Sequence, residues 1–283
     1  MKLAAFLFAL ATASCGAPLM RLPAGPGAFA ADAADAIADA TAACKSISTI
    51  SAEIGVSGSV GGQRLRGRLL AGLAPPSSAR LEAVAPAGPP IFIFVASGDD
   101  ATLLLPRDDR VLEHGPPAAV LEAVAGVPLD GADLKAALTG CAQAPDHAQG
   151  RALGPDWRMV PDGPTELYLQ RDRQTSKWRL VATLHHAAAA SPQAGGPSTS
   201  SGSPRAPSTG DWRAEYRNFQ KGLPQTVHLV SHDAKRFDLT LALSQVDANV
   251  PLGPDVFRVQ IPRSATPMTL DELRHARPGI REN

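Results

Sequence analysis

The residues whose type and spacing could carry chemistry are few: His185-His186, the acidic pairs Asp99-Asp100 and Asp108-Asp109, three cysteines and the row Arg64, Arg66, Arg68. A histidine pair invites a metal or acid–base reading. These two end an alternating stretch, however, and neighbours in a strand point to opposite faces. Their expected role is that of exposed histidines at a loop edge. The aspartate pairs read as turn residues. No GxSxG, HExxH, P-loop or dinucleotide fingerprint occurs, and no CxxC. Ser, His and Asp scatter through turns and edges without selecting a triad. We therefore assign no catalytic residue, no metal and no cofactor. The arginine row is expected to form a solvated face that also protects the sheet.

The N-terminus frames the cysteines. Lys2, the apolar run Leu3 to Leu10 and the small residues Ala11 to Ser14 have the layout of a secretion signal over residues 1–14. Thr12-Ala13-Ser14-Cys15 resembles the lipobox of bacterial lipoproteins, with Thr12 where that pattern prefers Leu or a similar aliphatic. The resemblance implies acylation of Cys15, a lipid anchor holding the chain on a membrane, and, with Gly16 rather than Asp next, the periplasmic face of the outer membrane. Without acylation, cleavage after Ala13 would leave Cys15 a free thiol on a periplasmic protein. Acylation removes Cys15 from the count, so Cys44 and Cys141 remain. In an oxidising compartment they form a disulfide; otherwise they are two buried small hydrophobes. The bond is the expected state.

The elements that would position these residues are mostly strands. From Ile50 to Leu73 apolar and polar residues alternate on either side of Gly61-Gly62, which suits a tight hairpin turn. That turn sets Val56 opposite Gly67, Ile54 opposite Leu69, Ala52 opposite Ala71 and Ile50 opposite Leu73. Ser57 and Ser59 then meet Arg66 and Arg64 on the other face. Further strands are read at 79–85, 91–97, 101–105, 157–160, 166–171, 177–185, 212–217, 226–231 and 236–246, with 256–261 as the last. In the 177–185 strand Trp178, Leu180, Ala182 and Leu184 form one row. IFIFVA and ATLLL are apolar on both faces and suit strands covered from two sides. Helices are expected from Ala31 (stripe Ala33, Ile37, Ala40, Cys44, Ile47, with Asp32, Asp35 and Asp39 facing away), at 116–125, at 130–138 with Asp130 as cap, and at 269–276 with Thr269 and Glu272 as a capping box. The pattern gives roughly ten to twelve strands and four helices.

Composition agrees with this reading. Charge balances at 27 against 27, which excludes a nucleic-acid footprint. Aromatics are 5%, and 25 Gly with 26 Pro favour short strands and turns over a bundle. Residues 187–210 are almost free of apolar bulk and read as a disordered insertion within the domain.

The order helix, hairpins, helix pair, hairpins and terminal strand resembles the LolA/LolB lipoprotein-carrier family. The matching stretches are SISTISAEIGVSGSVGGQRLRGRLLAGL, SARLEAVAPAGPPIFIF, GVPLDGADLKAALTGC and LALSQVDANVPLGPDVFRVQIPRSATPMTLDEL. The resemblance implies a mainly β (α+β) fold: a single, highly curved antiparallel sheet forming an unclosed half-barrel, with helices covering its mouth. The domain would span 32–275, after a lipidated tether at 15–31 and before a tail at 276–283. Its apolar cavity would receive acyl chains of lipoproteins or lipids. From the apolar rows, the candidate lining is Ile54, Leu69, Leu81, Trp178, Leu180, Leu239 and Leu241. The acceptor of that family exposes a bulky apolar residue on an early loop, where this chain has Ala87-Gly88-Pro89-Pro90. The reading is a monomeric, non-enzymatic envelope lipoprotein. The alternative is a structural or sensory lipoprotein that binds a protein partner and carries nothing.

Overall fold

The structure, a computed structural model, describes residues 18–142, 148–187 and 210–276. The signal, Cys15, almost all of the 187–210 insertion and the tail beyond 276 lie outside the described residues. The first half of the chain gives β1 (Ala28–Ala30), α1 (Ala33–Lys45), β2 (Ile50–Val60), β3 (Gln63–Ala74), β4 (Ser78–Val84), β5 (Phe92–Ser97), β6 (Asp100–Leu105), β7 (Arg110–Gly115), α2 (Pro117–Ala125) and α3 (Gly131–Thr139). The second half gives β8 (Gly150–Ala152), β9 (Trp157–Asp162), β10 (Thr165–Arg171), β11 (Trp178–His185), β12 (Trp212–Gln220), β13 (Leu223–Ser231), β14 (Phe237–Ala248), a 3-10 turn (Pro254–Phe257), β15 (Thr266–Pro267) and α4 (Leu270–Ala276). All fifteen strands join one curved sheet, in the order β1-β8-β9-β10-β11-β12-β13-β14-β2-β3-β4-β5-β6-β7-β15. β1 and β15 are its edges, so the sheet is an unclosed half-barrel, as the sequence implied. Pairing is antiparallel except for the short parallel contact of β7 with β15.

The β2–β3 hairpin is the spine. Val56 opposes Gly67, Ile54 opposes Leu69, Ala52 opposes Ala71 and Ile50 opposes Leu73. Gly61 and Gly62 turn the chain at φ 59° and 75°, the positive values such a turn demands. Gly58, at φ 140°, lies so close to β14 that an added Cβ would strike the Asp238 carbonyl oxygen. The inward row of β2 continues across β3 to β5 as Leu73, Leu81 and Phe94, all buried.

The helices lie on that inward face. α1 packs on β8 to β11, α3 reaches from β4 to β13, and α2 rests on β6 and α4. Asp130 caps α3 by accepting the Asp133 N–H at 2.8 Å, and Gly140 ends it at φ 66°. Thr269 and Glu272 exchange the two hydrogen bonds of a capping box at the start of α4. A disulfide joins Cys44 at the end of α1 to Cys141 just past α3, with Cα atoms 5.8 Å apart. Of the acidic residues expected to face away from α1, two work as docking groups. Asp32 takes the Arg158 guanidinium at 2.7 and 2.9 Å, and Asp39 accepts the Trp178 N–H at 2.7 Å.

Three expectations fail. Residues 256–261 form no strand. Val256 and Phe257 end the 3-10 turn, which lies against β4 and β5, and the Arg80 guanidinium takes the carbonyls of Val256 and Arg258 that a ladder would have used. The row Trp178, Leu180, Ala182, Leu184 breaks at Val181, the extra residue of a bulge against β10. Beyond it the inward position passes to Thr183, opposite Ala214. The segment read as a loose tether is fastened: Ala28–Ala30 pairs with β8, and residues 18–20 lie along the outside of β12.

That contact surrounds Glu215, which has no exposed surface. Its carboxylate accepts from Arg213 Nη2 and Arg217 Nη2, each at 2.6 Å, and from the Met20 N–H at 2.9 Å. The same two arginines donate to the Met20 and Pro18 carbonyls at 2.5 and 2.6 Å. Arg66 and Arg68 lie on β3, Arg68 opposite Val84 at the last rung with β4 and Arg66 in the stretch 63–67 that extends past it and leaves one strand edge open. Positive charge suits such an overhang.

Candidate functional site

The inward face is closely covered at one end, where a cleft of about 700 Å³ remains between α1, α3 and the β3–β4 turn, and hollow at the other. Where α1 and α3 cover it, Ile50, Ala71, Leu73 and Ala79 are buried. Toward the β2–β3 tip, Leu65 and Leu69 are only half-buried. There a hollow of about 800 Å³ opens between the hairpin tip, α2 with its following loop, and the start of β14. That size lies in the range of small-ligand sites. Its walls are aliphatic and aromatic: Val56, Leu69, Leu81 and Phe92 from the sheet, Leu229, Leu239 and Leu241 from β13 and β14, and Leu121, Val124 and Val127 from above. Gly126 ends α2 at φ 75°, close against Val60, so the helix stops at the opening rather than crossing it.

Four of the seven residues proposed from the apolar rows, Leu69, Leu81, Leu239 and Leu241, line this hollow. The other three lie elsewhere. Ile54 is 1% exposed within the packed core, although it is the cross-strand partner of Leu69. Leu180 is buried under α1's side of the sheet, and Trp178 lies beneath the Arg158 guanidinium, 4.7 Å from its ring centre. α2 also lines the hollow, through Leu121 and Val124, which the apolar rows of the strands do not single out. Its signal is a nine-residue helix, PAAVLEAVA, with Glu122 as its one polar residue.

The histidine pair is not the exposed loop edge expected of it. Both rings are half-buried, on opposite sides of the sheet. His185 stacks on Trp212 at 3.7 Å and 2°, between the Thr165 and Thr183 hydroxyls. His186 sits 3.3 Å from Asp211 and 3.7 Å from Glu166. Among the described residues no cluster of His, Cys, Asp and Glu could hold a metal ion. Burial first, and the neighbouring His186 second, push the His185 imidazole down to about 4. The unfolded chain, with an ordinary value of about 6.5, binds the proton more readily, so stability rises with pH between the two values. The contribution is complete above about pH 6.5 and is lost as pH falls toward 4, about 3 kcal/mol at most. Thermal melts should show this slope in the native chain and a flatter one in His185→Phe. Equal slopes would refute the assignment.

No helix among the described residues is long and apolar enough to cross a membrane. No family model matches the chain, and no curated protein matches it. Solved structures similar in outline include a LolA superfamily protein from Nitrosomonas europaea, at 11% identity over 80% of this chain and 97% of that one, with TM-score 0.49. Others are a DUF1329 family protein from Desulfovibrio piger (10%, 80% and 97%, TM-score 0.40) and the Mycobacterium tuberculosis lipoprotein LppX (10%, 78% and 96%, TM-score 0.31). At these scores, what the hollow can hold is read from its own walls. They offer apolar surface and room.

Proposed function

We propose that this chain is an exported envelope lipoprotein that holds acyl chains, of a lipid or of another lipoprotein, in the hollow of its half-barrel. The observation behind this reading is the hollow of about 800 Å³ with aliphatic walls, left open between the hairpin tip and the end of α2. An acyl chain moved there from water gains ~0.8 kcal/mol per CH₂ buried, without any hydrogen bond from the walls. Acylation of Cys15 would hold the protein at the outer membrane as a lipid-anchored monomer, and the Cys44–Cys141 bond suits the oxidising side of a membrane.

The test is to purify the chain from membranes, extract bound lipid for mass spectrometry, and titrate the delipidated protein with a fluorescent acyl probe. Leu69→Trp fills part of the hollow from a half-buried position. Displacing about three methylenes of guest costs on the order of 2 kcal/mol, so affinity should fall roughly thirtyfold with little change in melting. A chain that yields no lipid and takes up no probe would overturn the proposal. Palmitate labelling of the native chain and of Cys15→Ala tests the anchor separately.

A further inference from the structure

The opening of the hollow carries charge that its walls lack. Arg64 stands beside the tip of the β2–β3 hairpin, Lys235 and Arg236 in the turn between β13 and β14, and Arg274 on α4. Two carboxylates, Glu122 and Asp233, share the rim. Glu122 pairs with Arg236 at 3.1 Å. Three segments far apart in sequence therefore bring four cations to one opening; Glu122 and Asp233 share the rim and Asp271 pairs with Arg274 at 2.9 Å, in a chain whose charges balance overall. The tip itself has no side chain in the way: a Cβ added at Gly62 would meet nothing within 4 Å.

An amphiphile can occupy this hollow in one orientation. Apolar walls reject a charged head, and water keeps it, so the tail enters and the head stays at the rim. There it meets Arg64 and Lys235, both exposed, and the exposed Arg274, whose guanidinium also pairs with Asp271. A guanidinium fork matches two oxygens of a phosphate at once and meets its opposite charge, whereas a neutral hydroxyl or ester offers an acceptor without the counter-charge. Building on the acyl reading of the hollow, we propose that the rim selects lipids with an anionic, phosphate-bearing headgroup over neutral lipids with the same chains.

The experiment compares two fluorescent probes with identical acyl chains, phosphatidic acid and diacylglycerol, on the delipidated full chain. Phosphatidic acid should bind about tenfold more tightly at low salt, and the preference should shrink as ionic strength rises. The variant Arg64→Gln/Lys235→Gln/Arg274→Gln keeps Arg236 on Glu122 and alters exposed residues alone. It should lose the preference while holding diacylglycerol as well as the native chain does. Equal binding of both probes by the native chain would overturn the headgroup assignment and leave the acyl reading intact. If neither probe binds, the acyl reading fails and takes the headgroup assignment with it. Inorganic phosphate at millimolar concentration should leave bound phosphatidic acid in place. Displacement by phosphate would identify a free-anion site and overturn the lipid assignment.

Discussion

Glu215→Ala is expected to lower the unfolding free energy by about 3–5 kcal/mol, the usual cost of removing one partner from a buried ion cluster. For a chain of this size the unfolding temperature should drop by roughly 6–20 °C. The cause is what the carboxylate leaves behind. Arg213 and Arg217, now held at 2.6 Å on either oxygen, would face each other without a counter-charge, and the Met20 N–H would lose its acceptor. Burial already pulls the Arg213 guanidinium below its usual value, and Glu215 offsets that pull. The segment that the arginines hold by the Met20 and Pro18 carbonyls should also come loose, so trypsin should cut after Arg21 faster than in the native chain. The triple substitution Arg213→Met/Glu215→Leu/Arg217→Met separates the two effects. It removes the stranded charge and should recover most of the stability, yet still leave Arg21 open to cleavage. A Glu215→Ala protein that melts within a degree of the native one would refute this account.

Breaking the Cys44–Cys141 bond should cost about 2–5 kcal/mol, since its 97-residue separation makes a long loop whose closure entropy is large. The denaturant midpoint of the native chain should fall on adding reductant, while Cys44→Ala/Cys141→Ala should start low and ignore it. The bond fastens the end of α1 to the end of α3, and these two helices cover the packed end of the inward face. The hollow is walled by other elements, chiefly α2 and the hairpin tip. Reduction should therefore weaken the fold more than it weakens acyl-probe binding, measured below the melting transition. A midpoint indifferent to reductant would show that the bond contributes nothing.

Much of the sheet could be read from the sequence because its signals are local and agree with one another. In the hairpin, small apolar residues at every second position and a Gly-Gly turn allow one register, since a slip by one would expose Leu65 and Leu69. The cap at Asp130 and the Thr269–Glu272 box are likewise matters of three-residue spacing. Signals failed where tertiary context intervened. β7 shows no period of two because Val111 and Leu112, adjacent in sequence, are both buried, and its register against β6 shifts just beyond them. β1, β8 and β15 are two or three residues long, too short for any period to show. Residues 256–261 alternate like a strand, yet Arg80, far away in sequence, decides where their carbonyls go. The hollow was half legible for a similar reason. Ile54 and Leu69 share a row and a rung, and nothing in either residue says that one is packed and the other faces space. That difference depends on α2 stopping at Gly126, a matter of where a helix ends several strands away.

The grip of Glu215 on residues 18–20 has a mechanical side. β12 is bonded to β11 and β13 on its two flanks, so any tug from upstream of Pro18 arrives in the interior of the sheet and is shared by neighbours instead of peeling a border. It also arrives on the back of the wall, with the cavity on the front. A leash tied there would hold the molecule by its spine and keep the doorway clear of its own rope.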